Sequence, residues 1–371
     1  MSEERRMKHF GMTSFLAFSL IAAAAALPAC APKPSDDDGA NAGRFLYVSS
    51  GLCQAGSNTT FTATSSSNLV YRVNLGTGQR DRILADYNSL PASSGDTPVS
   101  IARLDSETLI ALIERSGARR VEKIKKNGDS TRTNFSSDVT ALSNTLLRMS
   151  KTSDGGFFIS RTNGLTKLSS SGSTVLSTFS NNSPGGSCGT NNKYSDAVST
   201  NKGHLIFSNS VSANARIGII LNTGGANCLA AAAAPTAAAL PSAMVWIPEA
   251  NQVLVAYSGS GTATDVNSIY AYEVTETPTT ASFDAGTKIY DASEYPSTKN
   301  YLLYAVSAMT YDAGSKSLYI SSAVGTTTTV AQYVIEKFRY DSTAKTIARA
   351  GTTPFYNYGL DTKCISGLYV D

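Results

Sequence analysis

Five cysteines, two histidines and one Gly-x-Ser-x-Gly segment are the residues of this 371-residue chain that chemistry could use first. Gly185-Gly186-Ser187-Cys188-Gly189 has the spacing of a nucleophile elbow, in which a serine on a sharp strand-to-helix turn attacks an acyl group. Here the segment lies between Asn181-Asn182-Ser183-Pro184 and Thr190-Asn191-Asn192, two turn-forming stretches, so a glycine-rich loop is expected instead. Downstream of the N-terminal segment His204 is the only imidazole that could serve as a base. It opens an apolar strand after Lys202-Gly203, the setting of a structural edge histidine. Cys53, Cys188, Cys228 and Cys364 form no Cys-x-x-Cys pair and have no histidine nearby in sequence, which argues against zinc. No Gly-x-x-x-x-Gly-Lys or Gly-x-Gly-x-x-Gly loop is present to cradle a phosphate.

Composition removes whole function classes. Lys and Arg number 31 against 28 Asp and Glu, a formal charge of +3 that offers no strong field to a nucleic acid. The hydrophobic fraction of 42% is that of an ordinary soluble domain, and the length suffices for a large core. Few stretches carry the Leu/Glu/Lys/Ala mixture of long helices, so an all-helical fold is excluded.

Arg5, Arg6 and Lys8 precede an uncharged run from Phe10 to Ala26, which leads into Leu27-Pro28-Ala29-Cys30. A basic segment, an apolar segment and a small-residue cleavage region in that order read as an export signal. The ending resembles the lipobox of bacterial lipoproteins. That resemblance implies cleavage before Cys30 and acylation of Cys30, with residues 1–29 as signal peptide and 30–43 as a flexible tether. Several acyl chains anchor firmly, at about 0.8 kcal/mol per buried CH₂. Pro28 departs from the small or aliphatic residue usual at its position; the alternative is ordinary secretory cleavage after Ala29, leaving a plain Cys30. Ala31 stands where an inner-membrane retention signal places Asp, which implies the outer membrane by analogy. Glu3 and Glu4 are unusual in a signal, and a start at Met7 would open more cleanly on Met-Lys-His-Phe. Asp36-Asp37-Asp38 lacks the alternating spacing of a calcium loop and reads as solvated linker.

The elements that must position any site show themselves as a repeat. Short apolar runs begin at Leu109, Phe157, Leu205 and Val253, each 48 residues after the last, with gaps of 64 and 65 to matching runs at Phe45 and Leu318. Each is followed by a second alternating strand ending in turn residues, as in Val70 to Leu75 before Gly76-Thr77-Gly78, Val121 to Lys126 before Asn127-Gly128-Asp129, and Leu165 to Leu168 before Ser171-Gly172. Five are preceded by a shorter strand: Val99 to Leu104, Leu146 to Ser150, Ala197 to Thr200, Ala243 to Ile247 and Val306 to Tyr311. The run at Phe45 lacks one. The chain ends in Ile365-Ser366-Gly367-Leu368-Tyr369-Val370-Asp371, which matches Val306-Ser307-Ala308-Met309-Thr310-Tyr311-Asp312.

This pattern predicts an all-β fold over residues 44–371, a six-bladed β-propeller whose C-terminal strand completes blade one and leaves no unpaired inner edge. Seven blades or a β-sandwich are the alternatives. Leu46-Tyr47-Val48-Ser49 followed by Val70-Tyr71-Arg72-Val73-Asn74-Leu75-Gly76-Thr77-Gly78 resembles the repeats of YVTN-type and NHL-type propellers. An even set of four cysteines in an exported chain favours disulfides. In the propeller the strands beside Cys53 and Cys364 are neighbours, so that pair would fasten the closure. Cys188 and Cys228 bracket blade four and pair by elimination.

Six-bladed propellers include calcium-dependent lactonases, whose metal sits on the channel axis. That resemblance makes Asp96, Asp196, Asn300 and Asp361, each placed just before an innermost strand, weak candidate calcium ligands; turn and cap roles explain them equally well. No cofactor is otherwise expected. Arg119, Arg120, Lys123, Lys125 and Lys126 could face anionic lipid but read better as a solvated strand. Trp246 is expected between blades, and the Ala-rich Leu229 to Leu240 as a connection. The expected function is a non-enzymatic outer-membrane lipoprotein whose propeller binds an envelope protein or polysaccharide. It would do so through Ser/Thr/Gly/Asn-rich loops at Gly51 to Ser67, Ser258 to Asn267 and Ser322 to Thr329. A calcium-dependent hydrolase and a surface adhesin or sugar-binding module are the alternatives.

Overall fold

The computed structural model describes residues 43–371 apart from 52–67, 89–95, 115–118, 130, 137, 142–145, 163, 181–185, 190–192, 222–227, 259–266, 292–303, 327–328 and 358–363. Residues 1–42, which hold the expected signal peptide, Cys30 and tether, together with Cys53, Asn300, Asp361 and most of the loops expected at Gly51 to Ser67 and Ser258 to Asn267, therefore lie outside the described residues. The third expected loop, Ser322 to Thr329, is instead a hairpin: the strands Ser317–Thr326 and Thr329–Asp341 pair through it, because its Thr and Val residues favour extended backbone.

Alternation of apolar and polar side chains, with turn residues between runs, favours short antiparallel strands, and these assemble into six sheets. From the inside outward, blade two is Thr97–Arg103, Thr108–Glu114, Arg120–Lys125 and Thr133–Ser136. Blades three and four repeat this order, beginning at Leu146–Lys151 and Tyr194–Ser199. Blades five and six begin at Leu240–Ile247 and Tyr304–Asp312 and divide their outer edge between two short strands. Blade one combines the C-terminal Cys364–Val370 with Phe45–Gly51, Leu69–Asn74 and Arg80–Asp86. Each innermost strand packs against the next, and the sixth against the first, so the sheets form a closed ring around an axial channel. The fold is a six-bladed β-propeller, which disposes of the seven-bladed and sandwich alternatives. Among the described residues no helix is long and apolar enough to cross a membrane.

The core lies between blades. Tyr71, Tyr319 and Tyr333 pack with Leu46 and Ile365 where blades six and one meet, and Ile110, Phe157 and Ile159 pack between blades two and three. Turns fall where the glycines stand: Gly78, Gly128 and Gly172 all have positive φ. At Gly172 a Cβ would also come within 2.2 Å of the Phe135 carbonyl oxygen, so glycine is required there twice over.

Closure is reinforced by charge. Arg44, just before the strand Phe45–Gly51, forms a bidentate pair with Asp312 of blade six at 2.9 Å for both bonds and also donates to the carbonyl of Asp371. Lys126 of blade two bonds the Asp371 carboxylate. Cys364 is disulfide-bonded, and its neighbour across the ladder is Gly51, two residues before Cys53.

Cys188 and Cys228 are joined, with Cα atoms 5.5 Å apart. The bond ties the one-turn helix Gly186–Cys188 to the outermost strand Cys228–Ala233, and Gly218 leaves room for the sulfur, since a Cβ there would lie 2.8 Å from the Cys188 Sγ. The Ala-rich stretch is thus partly a strand: Cys228–Ala233 pairs with Arg216–Ile220, because a neighbouring ladder and the disulfide overcome the weak β preference of alanine. A Cys188→Ser/Cys228→Ser chain is expected to lose about 2–4 kcal/mol in urea unfolding, since the bond closes a separation of 40 residues. An unchanged midpoint would show that the loop is held without it.

Candidate functional site

The axial channel encloses about 480 Å³ and is lined by all six innermost strands. That volume falls in the range of roughly 300–1,000 Å³ typical of small-molecule sites. The lining follows from a shared irregularity. Each innermost strand carries one extra residue relative to its partner, at Val99, Leu147, Ser195, Ser242, Ser307 and Ser366, with blade six carrying a second at Ala305. Three of the four bulge serines join blades: Ser366 donates to the Pro98 carbonyl at 2.9 Å, Ser307 to the Ile365 carbonyl at 2.7 Å, and Ser195 to the Pro241 carbonyl at 2.9 Å, while Ser242 donates within its own blade to the Ala256 carbonyl at 3.3 Å. Between blades two and three Ser100 takes this role, accepting from the Met149 amide at 3.1 Å.

The residue after each bulge occupies an equivalent register position, and these six are Ser100, Arg148, Asp196, Ala243, Ala308 and Gly367. Four are small. The other two, in adjacent blades three and four, are an arginine and an aspartate. Arg148 is half-buried, reachable from the channel, and its guanidinium makes no hydrogen bond or close ion pair with any described residue. Burial lowers its pKa and the Asp196 carboxylate raises it again, yet an arginine remains charged. Asp196 is 7% exposed and accepts from the backbone amides of Met244 and Ala197, both at 2.8 Å. Burial pushes its carboxyl up to about 6, opposed by Arg148 and by those two amides.

Around this pair the wall is apolar, built from Met149, Met244, Met309, Val198 and Leu368, each at most 9% exposed. Three residues beyond Arg148, about 10 Å along the strand, Lys151 marks one mouth with Arg103 and Trp246. Lys151 donates to the Leu104 carbonyl at 3.0 Å, and burial together with Arg103 lowers its pKa. The ionic lining is three cations, Arg103, Arg148 and Lys151, against two carboxylates, Asp105 and Asp196.

The candidate ligands read from sequence divide. Asp96 is 2% exposed, does not line the channel, and is held by Arg120 through two hydrogen bonds. Asp196 reaches the channel but faces a guanidinium. No cluster of three or more His, Cys, Asp or Glu side chains suited to a metal occurs among the described residues. His204 is buried and donates from Nε2 to the Thr277 carbonyl at 2.6 Å, packing blade four on blade five. Ser187 lies in the one-turn helix, its carbonyl accepting from Arg216.

Two expectations change. The basic stretch is not a freely solvated strand: Arg120 pairs with Glu122 of its own strand, and acidic partners from elsewhere pair Arg119 with Glu114, Arg120 with Asp96 and Lys126 with Asp371. Trp246 packs partly against the core between blades four and five, but it also lines the channel mouth and donates to Asn201 Oδ1 at 3.0 Å. Arg148 was not singled out by sequence reasoning. The signal becomes visible once the six innermost strands are aligned on their bulges.

No family model matches the chain, and no curated protein matches it in sequence. Solved structures match in fold. A Bacteroides caccae protein of unknown function shares 13% identity at a TM-score of 0.52, over 88% of this chain and 97% of its own. A Lactobacillus plantarum protein shares 10% at 0.53, over 88% and 99%. A Xanthomonas campestris gluconolactonase overlaps at 10% identity and a TM-score of 0.47, over 87% and 94%. At such identities the likeness to the first two shows the fold alone.

Proposed function

We propose that this protein is a non-enzymatic binding module of the bacterial cell envelope, lipid-anchored through Cys30 to the outer membrane, with the axial channel as its recognition site. The observation that carries the binding role is the charged pair: Arg148 and Asp196 stand at ring positions that the other four blades fill with Ser, Ala or Gly. Charges in a low-dielectric channel cost stability, so a fold that only needed closure would gain by small residues there too. Support for the anchor is the Leu27-Pro28-Ala29-Cys30 ending and the polar segment after it. The calcium-dependent reading is weakened, since a divalent cation at Asp196 would sit beside the Arg148 guanidinium.

The test is the mass of the mature protein taken from membranes, under denaturing and native conditions. The expected result is a chain beginning at Cys30 with three acyl chains, four other cysteines oxidised, and a small-molecule adduct that unfolding releases. An unmodified N-terminus overturns the anchor, and stoichiometric calcium without an adduct overturns the binding module. Protease accessibility in intact cells then separates a surface-displayed adhesin from a periplasmic module.

A further inference from the structure

The geometry points to the class of ligand: we infer that the channel holds a small amphipathic organic acid, its carboxylate on Arg148 and its apolar body against the three methionines. This rests on the channel being the recognition site. A guanidinium presents its N–H donors in a planar fork that matches a carboxylate bidentately, and the Arg148 fork is engaged by no described residue. The neighbouring Asp196 is already served by two backbone amides, so it biases the guanidinium's position without occupying its donors. With Arg103 and Lys151 at the mouth, cations outnumber carboxylates along the path, which favours entry of an anion over a cation.

The wall selects the rest of the molecule. Met149, Met244, Met309 and Leu368 come from blades three, five, six and one, so an apolar body would be enclosed from several sides. Methionine side chains adapt their shape and tolerate a range of aliphatic groups. A sugar would find few hydroxyl partners on these faces. A peptide of many residues exceeds a volume near 480 Å³.

The experiment is calorimetric titration of the full mature domain with octanoate at pH 7.5, with octanol and octylammonium as probes of the same body and different head. Octanoate is expected to bind with a stoichiometry of one and the other two at least about ten-fold more weakly, the contribution of a charge-assisted pair. Arg148→Met should lose at least about ten-fold, while Arg148→Lys keeps the charge without the fork and should fall between. Asp196→Asn should bind octanoate more tightly at pH 7.5 by removing a like charge from the anion's side, a gain that a merely structural role would not produce. Thermal melting of each variant confirms that it is folded. Equal binding of octanol overturns the carboxylate, and octanoate binding that survives in folded Arg148→Met overturns the site. If no probe binds while the native adduct persists, this inference fails and the binding module stands.

Discussion

A chain ending at residue 363 is expected to lose its cooperative melting transition and to show the broad unfolding of an open ring. The strand Cys364–Val370 is the innermost member of blade one, hydrogen-bonded to Phe45–Gly51 and packed against the innermost strands of blades six and two. Ile365 is fully buried, and Leu368 and Val370 are each at least nine-tenths buried. Their burial alone contributes about 1.5–3 kcal/mol each, and the deletion also removes a ladder, three inter-blade links and the Asp371 partner of Lys126. Those losses match the 5–15 kcal/mol that typically separates folded from unfolded states. Full-length Cys364→Ser is the control, since it removes the disulfide and keeps the strand. Calorimetry decides: a truncated chain that melts in one sharp transition within a few degrees of the control would show that strand exchange at the closure is dispensable.

The second large effect concerns pH. Unfolded aspartate titrates near 3.9, whereas burial holds Asp196 at about 6 in the folded channel. The folded state therefore binds this proton more tightly, and the stability the group contributes is full below about pH 4 and lost as pH rises through 6. A shift of about two units corresponds to ~3 kcal/mol. Asp196→Asn stays neutral and retains an acceptor for the Met244 amide, so urea unfolding of the two chains should diverge by about 2–3 kcal/mol in favour of the variant between pH 4 and 7.5. The pull of Arg148 acts only on the ionised carboxylate and is already contained in the value of about 6. Other titrating groups, including Glu336, which burial pushes upward against the pull of Arg349, cancel in the difference. Parallel pH profiles would mean that Asp196 stays hydrated and that the Arg148 pair is solvent-screened.

Much of the architecture was legible because a propeller is a local code repeated. Apolar runs 48 residues apart, Asn-Gly and Ser-Gly turns, and the match between Ile365–Asp371 and Val306–Asp312 required six sheets and a borrowed strand. Cys188 and Cys228 were readable for the same reason, as both bracket one blade. Where partners come from other strands the sequence was silent. Nothing adjacent to Arg119 and Arg120 in sequence announces that Glu114 and Asp96 of the same blade will neutralise them. Asp96 and Asp196 looked alike as acids near an innermost strand, yet one is consumed by Arg120 and the other stands in the channel.

Arg148 and Asp196 are 48 positions apart, and their placement on one level of the channel depends on two features that act only in three dimensions. Bulges in both strands place each at the same register position, and ring closure at a fixed angle sets adjacent blades side by side. Periodicity and turn chemistry, which are properties of neighbouring residues, determined the strands, their order and the blade count. Desolvation and the company of distant charges, which exist only after the ring has closed, decided which ionic groups are paired, which titrate abnormally and which remain open to a ligand.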